Sequence, residues 1–230
     1  MRQQWRMRGL IRLLQLIALV LLAVVVGHIA WLRYVPPQVV ARPFDPAFVR
    51  LSPIEIAALP EAPRWDMPMG SEHGALTYNA QPFRITRHLG DDLNGIGGMN
   101  SDLGDPVYAA ATGRVVYRGI PGPGWGNMII LAHRVRNKET GELEVIQSLY
   151  AHLDSMLVQP DQTVQRGERI GTVGTAFGKY LAHLHFEIRR GPYVFPGVGY
   201  ADVPLNCLSP ERFVAEHRGA ANEVLSAAVK

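Results

Sequence analysis

The chain has 230 residues, 47% hydrophobic and 19% charged, the profile of one sizeable packed domain with extensions, which excludes disorder along its whole length. Its formal charge of +3 comes from the first 33 residues, which carry Arg2, Arg6, Arg8, Arg12 and Arg33 and no acid, leaving 18 basic against 20 acidic residues elsewhere. That balance excludes a basic surface for nucleic acid. The single cysteine, Cys207, excludes an intrachain disulfide and a cysteine-based zinc site, so a metal would have to be held by His, Asp or Glu.

Residues 1–12 read as a basic cytoplasmic tail and residues 13–32 as a transmembrane signal anchor. Leu13 to Leu32 is apolar apart from Gln15 and His28, and about 20 such residues span a bilayer as a helix. The arginines ahead of it predict an N-terminus in the cytoplasm and the rest of the chain outside, in the periplasm, held in the cytoplasmic membrane by one pass. No small-residue cleavage site stands out, so an uncleaved anchor is expected rather than secretion after cleavage. His28 is expected near the outer end of that segment. Residues 33–74 read as a linker, because the seven prolines between Pro36 and Trp65 suit an extended spacer. One short helix can start within it, with Ser52 as N-cap and Pro53 in the first position.

From residue 75 to 208 the pattern turns to short β-runs, VYAAATGRVVYRG, NMIILAH, VIQSLYAHL, TVQRGERIGTVG and LAHLHFEIRR. Clusters of Gly, Pro and Asn separate them, which predicts a mainly β domain with an antiparallel sheet and hairpins rather than βαβ units. Residues 209–230 read as a short C-terminal helix and tail, opened by Ser209-Pro210-Glu211. The charged stretch between His133 and Leu149 reads as a solvated hairpin or as a wall of a groove, and Trp125, in Gly124-Trp125-Gly126-Asn127, as a hairpin-tip aromatic or a groove wall.

The chemistry concentrates in two places. In LAHLHFEIRR a period of two sets His183, His185, Glu187 and Arg189 on one strand face and Leu184, Phe186 and Ile188 on the other. Two imidazoles on a rigid strand can converge on one metal ion, although a half-exposed edge strand with solvated histidines gives the same pattern. In His88-Leu89-Gly90-Asp91-Asp92, His88 and Asp92 can reach one point if Gly90 lets the chain bend. With one imidazole of the His183–His185 pair they make a His2Asp set with a fourth position for water, as catalytic zinc sites require. Glu187 can orient a ligand from behind or form an edge salt bridge with Arg189. His73 reads as a solvated loop histidine, or as a cap on the metal in a latent state.

Taken together, HLGDDLNG, GDPVYAAATGRVV, GWGNMIILAH, YAHL, the V-x-R-G-x-x-I-G of Val164 to Gly171 and HLHFEI resemble, in this order, the lysostaphin-type (LytM-like) zinc endopeptidases that cut peptide bridges in peptidoglycan. The resemblance runs from about Ala75 to Arg190. It implies the duplicated antiparallel β-core of that family and one Zn2+ per chain on His88, Asp92 and His185. His152 and His183 would be the two catalytic histidines beside the metal, and His133 structural. Asp91 falls on a variable position and is not carried over. Ala182 and Phe177-Gly178-Lys179-Tyr180 depart from the family pattern and alter groove shape. The expected function is a membrane-anchored zinc endopeptidase of peptidoglycan peptides, with the membrane as a partner through the N-terminal helix. A non-catalytic relative that binds peptidoglycan or activates another hydrolase is the alternative, and a metal site with a purely structural role is a third reading.

Overall fold

The computed structural model describes residues 2–34, 49–70 and 76–218. Two units are separated, residues 1–40 and 41–230. The first contains the helix α1 (Arg2–Tyr34). Among the described residues no helix is long and apolar enough to cross a membrane. The helix expected to pass once through the cytoplasmic membrane is not among them.

In the second unit the chain enters through β1 (Val49–Arg50) and α2 (Pro53–Ala58), followed by β2 (Thr77–Gln81), β3 (Asp91–Gly95), β4 (Pro106–Tyr108) and β5 (Gly113–Gly119). The long pair β6 (Asn127–Arg136) and β7 (Leu143–Met156) comes next, then β8 (Thr163–Val164), β9 (Arg169–Val173), β10 (Leu184–Arg190), β11 (Tyr193–Val194), β12 (Cys207–Leu208) and α3 (Pro210–His217). The main sheet has ten strands in the order β2-β3-β10-β7-β6-β5-β8, with β12 on β10 and β9 bridging β4 and β7, and its pairs are antiparallel. A mainly β, antiparallel fold is what the short alternating runs predict.

Both caps read from the sequence form. Ser52 and Glu55 make a reciprocal capping box at α2, and the Ser209 hydroxyl accepts from Arg212 N at α3, each satisfying amides that a helix start leaves open.

The run NMIILAH is apolar at nearly every position because both faces of β6 are covered. Ile129 and Leu131 pack in one core cluster with Tyr150, Phe186 and Trp65, whereas Met128, Ile130 and Ala132 pack in a second with Leu51, Leu59 and Val194. That second cluster revises the spacer expected at residues 33–74. The residues 49–70 within it are part of the domain: β1 pairs β11, Arg134 N donates to Pro60 O and Ala62 N to Arg134 O, and Leu59, Trp65 and Met69 are at most 2% exposed. Each fully buried side chain of this size contributes about 1.5–3 kcal/mol by leaving water. Residues 35–48 and 71–75, including His73, lie outside the described residues. The charged stretch forms the β6–β7 hairpin, and its Lys138, Glu139 and Glu144 line a groove with α3 that includes none of His88, His152, His183 and His185.

His133 sits in the core as the resemblance implies, fully buried against Trp65 at 4.6 Å between ring centroids. Its Nδ1–H donates to Thr112 O at 2.8 Å, which leaves Nε2 to accept from the Ser148 hydroxyl at 2.8 Å. Burial outweighs the bond to Thr112 and lowers its pKa to about 4. The unfolded chain, with an ordinary value near 6.5, binds this proton first, so stability is full above about pH 6.5 and falls as pH drops toward 4, by roughly 3 kcal/mol. Urea midpoints measured from pH 7 to 4.5 should show this slope. His133→Gln, whose amide can replace both hydrogen bonds without titrating, should be flatter than wild type.

Candidate metal centre

Strand register, rather than proximity in sequence, assembles the site. His185 on β10 is opposite Asp92 on β3 and, on its other side, opposite Ala151 on β7, next to His152. His88 arrives on the segment before β3, where it bridges Tyr200 and where Leu89 N donates to Gly199 O. Gly90 acts through space rather than through a left-handed bend: a Cβ there would come within 2.5 Å of Phe186 O and 2.7 Å of Glu187 Cγ. Its missing side chain lets the His88 segment lie against β10.

Three donor atoms meet. His88 Nε2 lies 3.0 Å from His185 Nδ1 and 3.3 Å from Asp92 Oδ1, and His185 Nδ1 is 2.9 Å from Asp92 Oδ1. His88 is fully buried and His185 and Asp92 are nearly so. The other nitrogen of each imidazole faces an acceptor, Gln81 O at 3.1 Å for His88 Nδ1 and Glu187 Oε1 at 2.8 Å for His185 Nε2. Those nitrogens must donate, so in the neutral rings the two nitrogens facing each other carry lone pairs. Two imidazole lone pairs and a carboxylate oxygen on one point repel unless a cation lies between them. Their separations match the edge of a tetrahedron with zinc–ligand bonds near 2.0 Å, about 3.3 Å, so the donor set fits a divalent ion such as zinc.

The same crowding appears in the proton affinities. Burial disfavours charge on His185, but the Asp92 and Glu187 carboxylates override it and raise its pKa to about 9. When a proton rather than a metal occupies the cluster, hydrogen bonds from His185 and His88 outweigh burial and hold Asp92 well below the usual carboxylate range.

Behind His185 the expected edge salt bridge is instead a buried relay. Glu187 is fully buried, accepts from His185 through Oε1, and receives Arg189 Nε on Oε2 at 2.6 Å. Arg189 is spanned by Phe195 O and Pro196 O at 2.6 and 2.7 Å. Although burial raises it, Glu187 is held at about 2, chiefly by the Arg189 charge and the His185 hydrogen bond. β10 lies inside the sheet and not at its edge, and the side chains on both of its faces are buried up to Arg189. Glu187 thus fixes the His185 ring and tautomer, and Arg189 fixes Glu187. Cys207 Sγ lies 3.5 Å from Glu187, and burial pushes this thiol up to about 12, which keeps it protonated and inert.

The two remaining histidines flank the cluster. His152 and His183 have ring centroids 4.7 Å apart, and His183 Nε2 is 3.8 Å from Asp92 Oδ1. His152 Nδ1 faces Trp125 O at 3.2 Å and His183 Nδ1 faces Leu181 O at 2.8 Å, so each donates to a carbonyl and keeps an Nε2 lone pair free of that bond. Burial, then the charges of His185 and His183, lowers His152 to about 3, which leaves it neutral at pH 7. Its backbone has a positive φ of 63°, a strained conformation of the kind found where a side chain is aimed for function. Opposite it, Gly126 at φ 63° passes so close to Ala176 that a Cβ would sit 2.8 Å from its Cα.

The cleft above these groups, about 270 Å³, is walled by Gln81, Trp125, Tyr180, Val198 and Tyr200. Trp125 lies 5.3 Å from His185 between ring centroids, which decides in favour of a groove wall. No sequence signal marked Gln81 or Tyr200. Their roles come from the fold, Gln81 by its carbonyl on His88 and Tyr200 by its ring 5.0 Å from His88 and its hydroxyl 3.2 Å from Gln81 Oε1.

An antiparallel β domain with a His2Asp donor cluster under an aromatic cleft defines a peptidase-like domain. The chain belongs to peptidase family M23, whose model matches residues 94–196. It is 40% identical over 94 residues to "Lipoprotein NlpD" of Yersinia enterocolitica, covering 40% of this chain and 87% of that protein. It is 42% identical over 116 residues to "Murein hydrolase activator NlpD" of Salmonella dublin, covering 49% of this chain but only 28% of the relative's length. Among solved structures it is similar to the antimicrobial peptidase lysostaphin from Staphylococcus simulans, at 22% identity and a TM-score of 0.43 over 63% of this chain and 51% of that one. The Yersinia relative is named as a lipoprotein, which also runs against the single-pass placement expected from the N-terminal segment.

Proposed function

We propose that this protein is a zinc-dependent endopeptidase of peptidoglycan peptides, with His88, Asp92 and His185 holding the metal and His152 and His183 serving the reaction. The observation that carries the reading is the convergence of two imidazole lone pairs and a carboxylate oxygen on one point, with two further imidazoles beside it. Zinc in such a site supplies Lewis acidity that activates water and polarises a carbonyl near neutral pH. The neutral His152 takes or returns a proton at Nε2, held in aim by the Trp125 carbonyl; His183 does the same from the Leu181 carbonyl. Trp125, Tyr180 and Tyr200 orient the peptide and exclude bulk water. The acting unit consists of residues 75–208 together with the strap at 49–70 that completes their core.

The name of the Salmonella relative favours a second reading, in which the domain binds peptidoglycan and stimulates a separate hydrolase. Purified peptidoglycan incubated with the full chain separates the two. The enzyme reading expects soluble muropeptides with newly freed peptide amines, release stopped by a chelator and restored by zinc. Intact peptidoglycan, with faster turnover only when a separate murein hydrolase is added, supports the activator and rejects the enzyme.

A further inference from the structure

The loop ahead of β10 departs from the family pattern at Phe177-Gly178-Lys179-Tyr180, and its shape is built rather than loose. Ala176, Phe177 and Gly178 have positive φ values of 48°, 61° and 85° in succession. The turn is clamped by Gly178 N donating to Thr175 Oγ1 at 2.9 Å and Tyr180 N to Thr175 O at 3.0 Å, and Ala176 lies against Gly126. Three consecutive left-handed residues, two of them with side chains, are unfavourable on their own and persist only where surrounding contacts impose them.

This loop presents two polar ends at the mouth of the cleft. Tyr180 stands between the site and solvent, 5.0 Å from His152 and 5.9 Å from His183 between ring centroids. Lys179 is exposed beside it, with Nζ 5.8 Å from the centre of the Tyr180 ring. Lys179 Nζ and the Tyr180 hydroxyl each lie 3.7 Å from the position a Cβ on Gly124 would take, so they share a corner that the glycine keeps open. Gly124 and Tyr180 both line the cleft, and among the described residues the only acid lining it is Asp92, engaged with His88 and His185. Among the described residues Lys179 enters no salt bridge. A cation and a hydroxyl donor side by side, with no internal anion to neutralise them, are complementary to a carboxylate.

We propose that Lys179 and Tyr180 form an anion-reading corner that selects peptides carrying a free carboxylate next to the cleaved bond over the same peptides with that carboxylate amidated. This rests on the hydrolytic reading for the bond that is cut, but not for binding. The probes are two synthetic cross-linked peptidoglycan peptides that differ only in that carboxylate or its amide, presented to the full chain in wild-type, Lys179→Met and Lys179→Glu forms. Methionine keeps an unbranched stem over the Tyr180 ring and removes the charge.

Calorimetric binding by wild type should favour the carboxylate peptide by roughly three- to fivefold, the scale of an exposed ion pair, with the preference shrinking as salt is raised. Lys179→Met should bind the two peptides alike, and Lys179→Glu should reverse the order. In turnover, the same change should appear in KM with kcat nearly constant. Equal binding by wild type, or a preference that survives in Lys179→Met, overturns the proposal. Carboxylate-dependent binding lost in Lys179→Met without any bond being cut sustains the corner and rejects hydrolysis. Cleavage without discrimination does the reverse.

Discussion

Replacing His88 by alanine is expected to abolish both bound zinc and peptidoglycan hydrolysis, whereas replacing His152 is expected to abolish hydrolysis and leave the zinc in place. The difference follows from where the two rings stand. His88 Nε2 is one of the three atoms that meet, so its loss leaves a carboxylate and one imidazole, too few to hold a metal as three protein donors do. His152 is beside the cluster, not in it, with Nδ1 tied to Trp125 O. A lost proton-transfer group costs on the order of 10²–10⁴ in rate. Metal content after dialysis, read by elemental analysis, and amines freed from peptidoglycan give the two columns. Full zinc in the His88→Ala protein would remove His88 from the metal site, and full hydrolysis by His152→Ala would remove His152 from the mechanism.

The largest effect on stability is expected at Arg189→Met. Glu187 is fully buried and Arg189 is 2% exposed, so removing the guanidinium strands a carboxylate in the core and frees the carbonyls of Phe195 and Pro196. Breaking a buried pair from one side costs about 3–5 kcal/mol, measurable as a shift in the urea midpoint. Adding Glu187→Gln should recover part of that loss, because the stranded charge is gone. A single variant within about 1 kcal/mol of wild type would mean that the pair carries little. Since Glu187 also holds His185, the Arg189 variant should bind zinc less tightly even at temperatures where it stays folded.

The hydrolytic and activating readings differ in what the cluster is for. The hydrolytic reading needs the three converging donors to hold a metal, whereas the activating reading does not. The chelator experiment decides the matter for this chain.

Much of the candidate site was legible in the chain because its donors fall in short patterns: His88 and Asp92 four residues apart, His183 and His185 on alternate positions of an apolar strand. Glu187 was harder to place. The same alternation describes an edge strand with a surface salt bridge and an interior strand with a buried relay, and only the neighbours β3 and β7 on either side of β10 select the second. Gly90 was read as a source of bending, but the need is for space against Phe186 and Glu187, which involves residues almost a hundred positions away. Prolines at 53, 60 and 63 pointed to a spacer because they forbid regular structure; they do not forbid packing, and Leu59 and Trp65 are buried among them.

The sequence by itself determined the class of sheet, both helix caps and the identity of the histidines and carboxylate that gather at the site, since these depend on local periodicity, on side-chain hydrogen bonds within one turn and on residue chemistry. Tertiary structure alone decided which nitrogens face each other, which carbonyls hold each ring, that Gln81 and Tyr200 reach His88, and that Lys179 stands at the mouth of the cleft. Those facts depend on strand register and on contacts between segments far apart in the chain, and no local pattern encodes a distance.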